Sequence, residues 1–202
     1  MIGVLKLFRD VAKKKEDFLF VDEERRAKAE KAVEKAISLI LKLQVSVNGK
    51  KTVWAAQYDE NSLKPADARA FEPASLTAGE SVGIVRFLML DANPNQEKID
   101  TIESAVRWFR ENKIEGFRWE TTRAETGLKH SLIKDKTASP IWARFYQIET
   151  MKPIFIGRDA VIKYSVSEID PERQNGYAWY VSAPHELLEK DYPKWLEKIR
   201  KN

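Results

Sequence analysis

Cysteine is absent from the chain, which excludes disulfides, thiolate metal sites and a cysteine nucleophile. No apolar run reaches the roughly 18 residues that a membrane-spanning helix needs. The N-terminus is not a signal peptide either. Met1–Ile2–Gly3–Val4 leads at once into an amphipathic stretch with Lys6, Arg9 and Asp10. Histidine is scarce. His130 and His185 each stand in polar surroundings with no serine or paired carboxylate nearby in sequence, so they read as surface residues and support no catalytic triad. A Walker A loop, GxGxxG, HExxH, an EF-hand loop and GxSxG are all missing, and with them the commonest signatures of nucleotide, zinc-protease, calcium-sensor and serine-hydrolase chemistry.

What is present suits a globular domain. The 202 residues are 43% hydrophobic and 33% charged, enough for a sizeable core under a well-solvated surface. Six Trp, six Tyr and nine Phe supply aromatic surface for the core and for stacking on a ligand. The net charge of +4 favours a polyanion. No basic helix stripe accompanies it, so neither nucleic acid nor a membrane is an expected partner.

Hydrophobic periodicity predicts a helix over residues 1–14, with Val4, Leu5, Phe8 and Val11 on one face. It has no N-cap residue, so it reads as cut rather than started. Asp22 is placed to cap a long helix from Glu23 to about Leu43, with Ala29, Val33, Ala36, Ile37, Ile40 and Leu41 as its buried stripe. Val45 to Tyr58, around Asn48–Gly49, reads as a short hairpin. Residues 59–77 are loop-like. Helices are expected again at 78–90, 95–111, 167–173 and 184–199. Residues 117–134 read as irregular or weakly β, and 139–146 and 153–155 as short extended segments. No repeat or linker divides the chain, so a single domain is expected over 1–202.

The acids Asp59, Glu60, Asp67, Glu72 and Glu80 lack calcium-loop spacing and read as solvated faces. The arginines carry more information. Arg69, Arg144 and Arg158 lie in DARAFEP, IWARFYQI and FIGRDAV, outside helical patterns and flanked by aromatics. A planar guanidinium suits bidentate recognition of carboxylates. Three of them point either to a ligand with more than one carboxylate or to structural pairs with Asp67, Glu149 and Asp159.

The runs TVWAAQYDENSLKPADARAFEPASLTAGESVGIVRFLM, PIWARFYQIETMKPIFIGRDAVIKYSVSEI and ERQNGYAWY resemble, in order, the blocks of family 10 pectate lyases. The resemblance extends from about Gly3 to Leu196 and covers the C-terminal part of that catalytic module. It implies a mainly α fold, an incomplete (α/α) toroid with minor β-hairpins. It also implies secretion and calcium-assisted anti-β-elimination of polygalacturonate, an acidic polysaccharide. By position in the GRD block, Arg158 corresponds to the catalytic base, with Gly157 allowing close approach and Asp159 beside it to orient the guanidinium. Arg69 and Arg144 match arginines that bind substrate carboxylates.

The chain departs from the family pattern in three ways. The carboxylates that hold calcium are expected in a missing N-terminal segment, upstream of the stretch matching Met1. Alanine at 55 or 56 and Ile156 stand where cysteine is expected. Ala160 stands where the GRD block calls for glycine. A second reading follows from the first departure: a truncated or redesigned non-catalytic scaffold that retains at most weak binding of anionic sugar.

Overall fold

The computed structural model describes residues 1–125 and 127–201. Its first half follows the periodicity closely. Helix α1 runs Ile2–Ala12 and packs against α2, Glu23–Leu43. The Asp22 side chain accepts a hydrogen bond from the Arg25 amide at 2.9 Å, satisfying one of the free amides of the first turn of α2. In α2, Ala29, Ile40 and Leu41 are buried, while Val33, Ala36 and Ile37 are half-buried against the core. The expected face of α1 is thinner. Leu5 is buried, but Val4 and Phe8 remain exposed.

The hairpin forms as expected, with β1 (Ser46–Val47) antiparallel to β2 (Lys50–Lys51). Asn48 and Gly49 take φ of 50° and 75° between them, the double left-handed turn that matches strand twist. Beyond the 59–77 loop comes β3 (Leu76–Thr77), then α3 (Ala78–Leu88), which is buried on most sides. Helix α4 (Gln96–Glu111) is capped by Asn95, whose side chain accepts from the Lys98 amide at 3.0 Å. It buries Ile102, Ala105, Val106 and Phe109 at helical spacing.

From residue 112 onward the architecture changes. Strands β4 (Phe117–Ala124) and β5 (Gly127–Lys134) form an eight-residue antiparallel hairpin where irregular or weak β was expected. Asn175 anchors it, accepting from the His130 amide at 2.8 Å. The short strands β6 (Trp142–Ala143), β7 (Phe145–Tyr146), β8 (Pro153–Ile156) and β9 (Ile162–Lys163) follow. Then come α5 (Pro171–Gly176) and β10 (Tyr180–Val181). The expected helix at 167–173 is therefore displaced towards the C-terminus, behind a 3₁₀ turn at Val166–Glu168. The final helical stretch is one run broken by a π turn at Leu187–Asp191 between α6 (Ala183–Glu186) and α7 (Tyr192–Arg200).

The expected mainly α fold, an incomplete (α/α) toroid, is thereby corrected. The protein is 45% helical and 19% strand, in several antiparallel sheets. One sheet runs β3-β7-β8-β9, and β6 pairs separately with β10. The physical reason lies in residues 112–182, where aromatic and β-branched residues do not recur at the spacing of a helix stripe. They are buried by strand pairing and ring packing instead. The indoles tie this region down: Trp142 donates to the Phe109 carbonyl and Trp179 to the Arg173 carbonyl, each at 2.8 Å.

Candidate functional site

Arg144 sits at the residue where the chain leaves one sheet for another. Its amide donates to the Trp179 carbonyl at 2.7 Å, on the β10 side, and its carbonyl accepts from the Ala78 amide at 3.2 Å, at the start of α3. The guanidinium lies 4.8 Å from the centroid of the Tyr177 ring and donates through Nη2 to Glu80 at 2.8 Å. Its Nε is buried and has no hydrogen-bond partner among the described residues.

Arg69, on the 59–77 loop, meets the hydroxyl end of the same tyrosine through Glu72. The Glu72 amide donates to the Arg69 carbonyl at 2.8 Å, and the Ala68 amide to the Glu72 carbonyl at 2.9 Å, closing a tight turn. That turn sets Arg69 against Glu72 in a two-pronged contact, Nε at 3.0 Å and Nη2 at 2.5 Å. The Tyr177 hydroxyl donates to the same carboxylate. The Arg69 hydrogen bond, with lesser help from Tyr177 and the charge of Arg144, holds the Glu72 carboxyl below its ordinary range. Glu72 in turn raises the Arg69 pKa.

Arg158 follows Gly157, and the glycine has a steric cause. A Cβ there would lie 2.6 Å from the Asp170 carboxylate. The same carboxylate accepts from the Arg158 amide at 2.7 Å. The guanidinium grips Glu172 with Nε at 2.9 Å and Nη2 at 2.7 Å. Asp159 does not orient it: its carboxylate accepts from the Val161 amide and pairs with Lys163 at 3.2 Å. Glu172 raises the Arg158 pKa, by hydrogen bonding first and then by charge. That is the wrong direction for a base.

All three predicted arginines thus gather around two rings, Phe71 and Tyr177. Arg158 lies 5.2 Å from the Phe71 centroid. None pairs with Asp67, Glu149 or Asp159, since Glu72, Glu80 and Glu172 take those places. A fourth arginine was missed. Arg173, on α5, lies over Phe71 at 5.7 Å, Tyr177 at 4.7 Å and Trp179 at 5.3 Å. It donates to the Ile156 carbonyl, and its Nη2 is buried without a hydrogen-bond partner among the described residues. Its signal was available in ERQNGYAWY, where one block holds the arginine and two of its rings. A helical reading of 167–173 obscured it. The result is an arginine-rich, ring-lined surface whose planar donors suit carboxylates. Beside it, Glu80 also lines a cleft of about 490 Å³ bounded by Ala55, Tyr58, Gly79 and Gly83.

Among the described residues, no three His, Asp or Glu side chains are grouped so that they could hold a metal ion. The acids nearest the rings are already engaged by arginine. The residues present therefore do not fit the calcium ion that the resemblance implies.

The pectic acid lyase family matches this sequence over residues 1–188. A family 10 polysaccharide lyase from Cellvibrio cellulosa superposes with a TM-score of 0.84 at 28% identity. A variant of that kind of enzyme from the same organism, in complex with trigalacturonic acid, gives 0.85 at 28%. Each comparison covers 96% of this chain but only 60% or 59% of the relative, so the chain spans less than two thirds of their length. Among curated proteins no sequence matches. The chain belongs to the pectic acid lyase family.

Proposed function

We propose that the arginine surface binds the uronate carboxylates of polygalacturonate and serves its cleavage by β-elimination. The observation that carries this reading is the convergence of Arg69, Arg144 and Arg158 on Phe71 and Tyr177, from a loop, a strand junction and a Gly–Arg turn. The relative in complex with trigalacturonic acid supports the ligand class. Each guanidinium can offer a carboxylate two parallel N–H groups, and each ring a face for a sugar.

In the reaction, a base takes the C5 proton and the freed electron pair forms the C4–C5 double bond. The C4–O bond breaks, and its oxygen leaves and is protonated as the sugar hydroxyl. We assign the base to Arg158, which must then act as neutral guanidine. Two neighbours decide its charge. Glu172 and, more weakly, Asp170 both hold its proton on. In the ligand-free protein Arg158 therefore stays charged, so the assignment requires that substrate binding part Arg158 from Glu172.

The test is formation of the unsaturated uronide, followed by its ultraviolet absorbance, in Arg158→Ala, Arg69→Ala and Arg144→Ala. Loss of a base lowers kcat by about 10²- to 10⁴-fold, whereas loss of a binding arginine chiefly raises KM. Wild-type kcat in Arg158→Ala would end the base assignment. No affinity of the wild-type chain for trigalacturonate would end the functional reading.

A further inference from the structure

Each of the three arginines that the sequence singles out meets a glutamate. Arg69 is on Glu72, Arg144 on Glu80 and Arg158 on Glu172. The three glutamates are not equivalent. The Glu72 side chain is 11% exposed and is held by the loop turn, by Arg69 and by the Tyr177 hydroxyl. Leaving that position would break the part-buried Tyr177 contact and the loop turn that packs a nearly buried carboxylate, so Glu72 belongs to the framework. Glu172 is 65% exposed and Glu80 45% exposed. Either can rotate into water at little cost, because exposed ion pairs are weak.

We propose that Glu172 and Glu80 are internal stand-ins for substrate carboxylates. They occupy Arg158 and Arg144 while the site is empty and lower its affinity for polyuronate by competing for the same N–H groups. This inference rests on the reading of the cluster as a carboxylate-binding surface. Glu172 uses both Nε and Nη2 of Arg158, the contact a uronate carboxylate would make. Ligand entry is therefore an exchange of one carboxylate for another at unchanged donors. A tethered carboxylate competes at an effective concentration in the millimolar range, so a weakly bound uronate feels it. The arrangement also keeps Arg158 and Arg144 in the geometry the ligand needs, which limits the ordering cost of binding.

Calorimetric titration of the full chain tests this with two probes, trigalacturonate and citrate. Citrate presents several carboxylates and no sugar. Glu172→Gln and Glu80→Gln preserve shape but remove the competing charge. Each should tighten binding of both probes by about two- to five-fold, the range set by exposed ion pairs. Glu72→Gln should give no such gain and should lower the melting temperature. Unchanged or weaker binding of both probes in Glu172→Gln and Glu80→Gln overturns the proposal. Tighter citrate binding, with trigalacturonate bound by no variant, supports the stand-in role and overturns the polygalacturonate reading alone. Failure of every variant to bind either probe overturns both.

Discussion

Residues 1–111 and residues 112–201 solve the burial problem by opposite means. In the first region, side chains spaced along α2, α3 and α4 meet at helix faces, and the helices satisfy most of their own backbone groups. In the second, strands of two to four residues predominate outside the β4-β5 hairpin, and none of these could persist alone. Large rings hold them: Trp142, Phe145, Phe155 and Trp179 are almost wholly buried, and the indoles bridge to carbonyls of other elements. The helical region supplies rigidity. The ring-held region supplies junctions, such as Arg144 between two sheets, where a backbone fixed on both sides can aim a side chain outward. The 59–77 loop brings Arg69 and Phe71 to those junctions.

The contrast is sharpest in the response to truncation. Trp142→Ala should cost about 3–5 kcal/mol, because a whole ring, its packing and its hydrogen bond to the Phe109 carbonyl are lost. Ile102→Val, in the equally buried face of α4, should cost only about 0.5–1.5 kcal/mol. Denaturant unfolding measures both, and a reversed order would break the comparison.

Next comes Glu72→Ala, which joins the loop to the ring-held region. It should cost about 1 kcal/mol, chiefly by leaving the part-buried Tyr177 hydroxyl without its acceptor, because the exposed Arg69 is rehydrated. Its pH dependence has a definite sign. The wild-type carboxyl is held below its ordinary value, first by the Arg69 hydrogen bond. Its contribution is thus complete above the ordinary glutamate pKa and is lost as pH falls through the lowered one. Melting temperatures across the acid range should show the variant and wild type converging.

A similar effect belongs to the helical region. Asp22→Ala removes the cap of α2 and should cost about 1 kcal/mol in unfolding free energy, with Asn95→Ala behaving alike at α4. If either equals Trp142→Ala, local capping would be carrying far more of the fold than packing allows.

The smallest change has the opposite sign. Ala160 takes φ of 57°, in the left-handed region, at the position where the GRD block calls for glycine. Ala160→Gly should stabilise the turn by up to about 1 kcal/mol, read as a small rise in melting temperature. A fall would mean that the alanine methyl makes packing contacts that outweigh its strain.

Local chemistry made much of the helical region legible. An aspartate or asparagine before an apolar stripe placed the starts of α2 and α4, and Asn48–Gly49 placed the first hairpin, because caps and turns are decided by neighbouring residues. Arg69, Arg144 and Arg158 stood out for a related reason: each lies among aromatics where no helix needs it as a solvated charge. Strands β9 and β10 stayed illegible, since strands of two residues have no period to read.

The sequence by itself determined the starts of α2 and α4, the hairpin turn, the family and three of the four clustered arginines. Only the tertiary structure decided which acid each arginine meets. Arg158 passes over adjacent Asp159 for Glu172, and Arg144 reaches Glu80 on α3. It alone brought Arg173 onto the rings of Phe71, Tyr177 and Trp179. Ion pairs and ring contacts fall off over a few ångströms, and closeness between distant segments is fixed by the packing of the strands and rings that carry them.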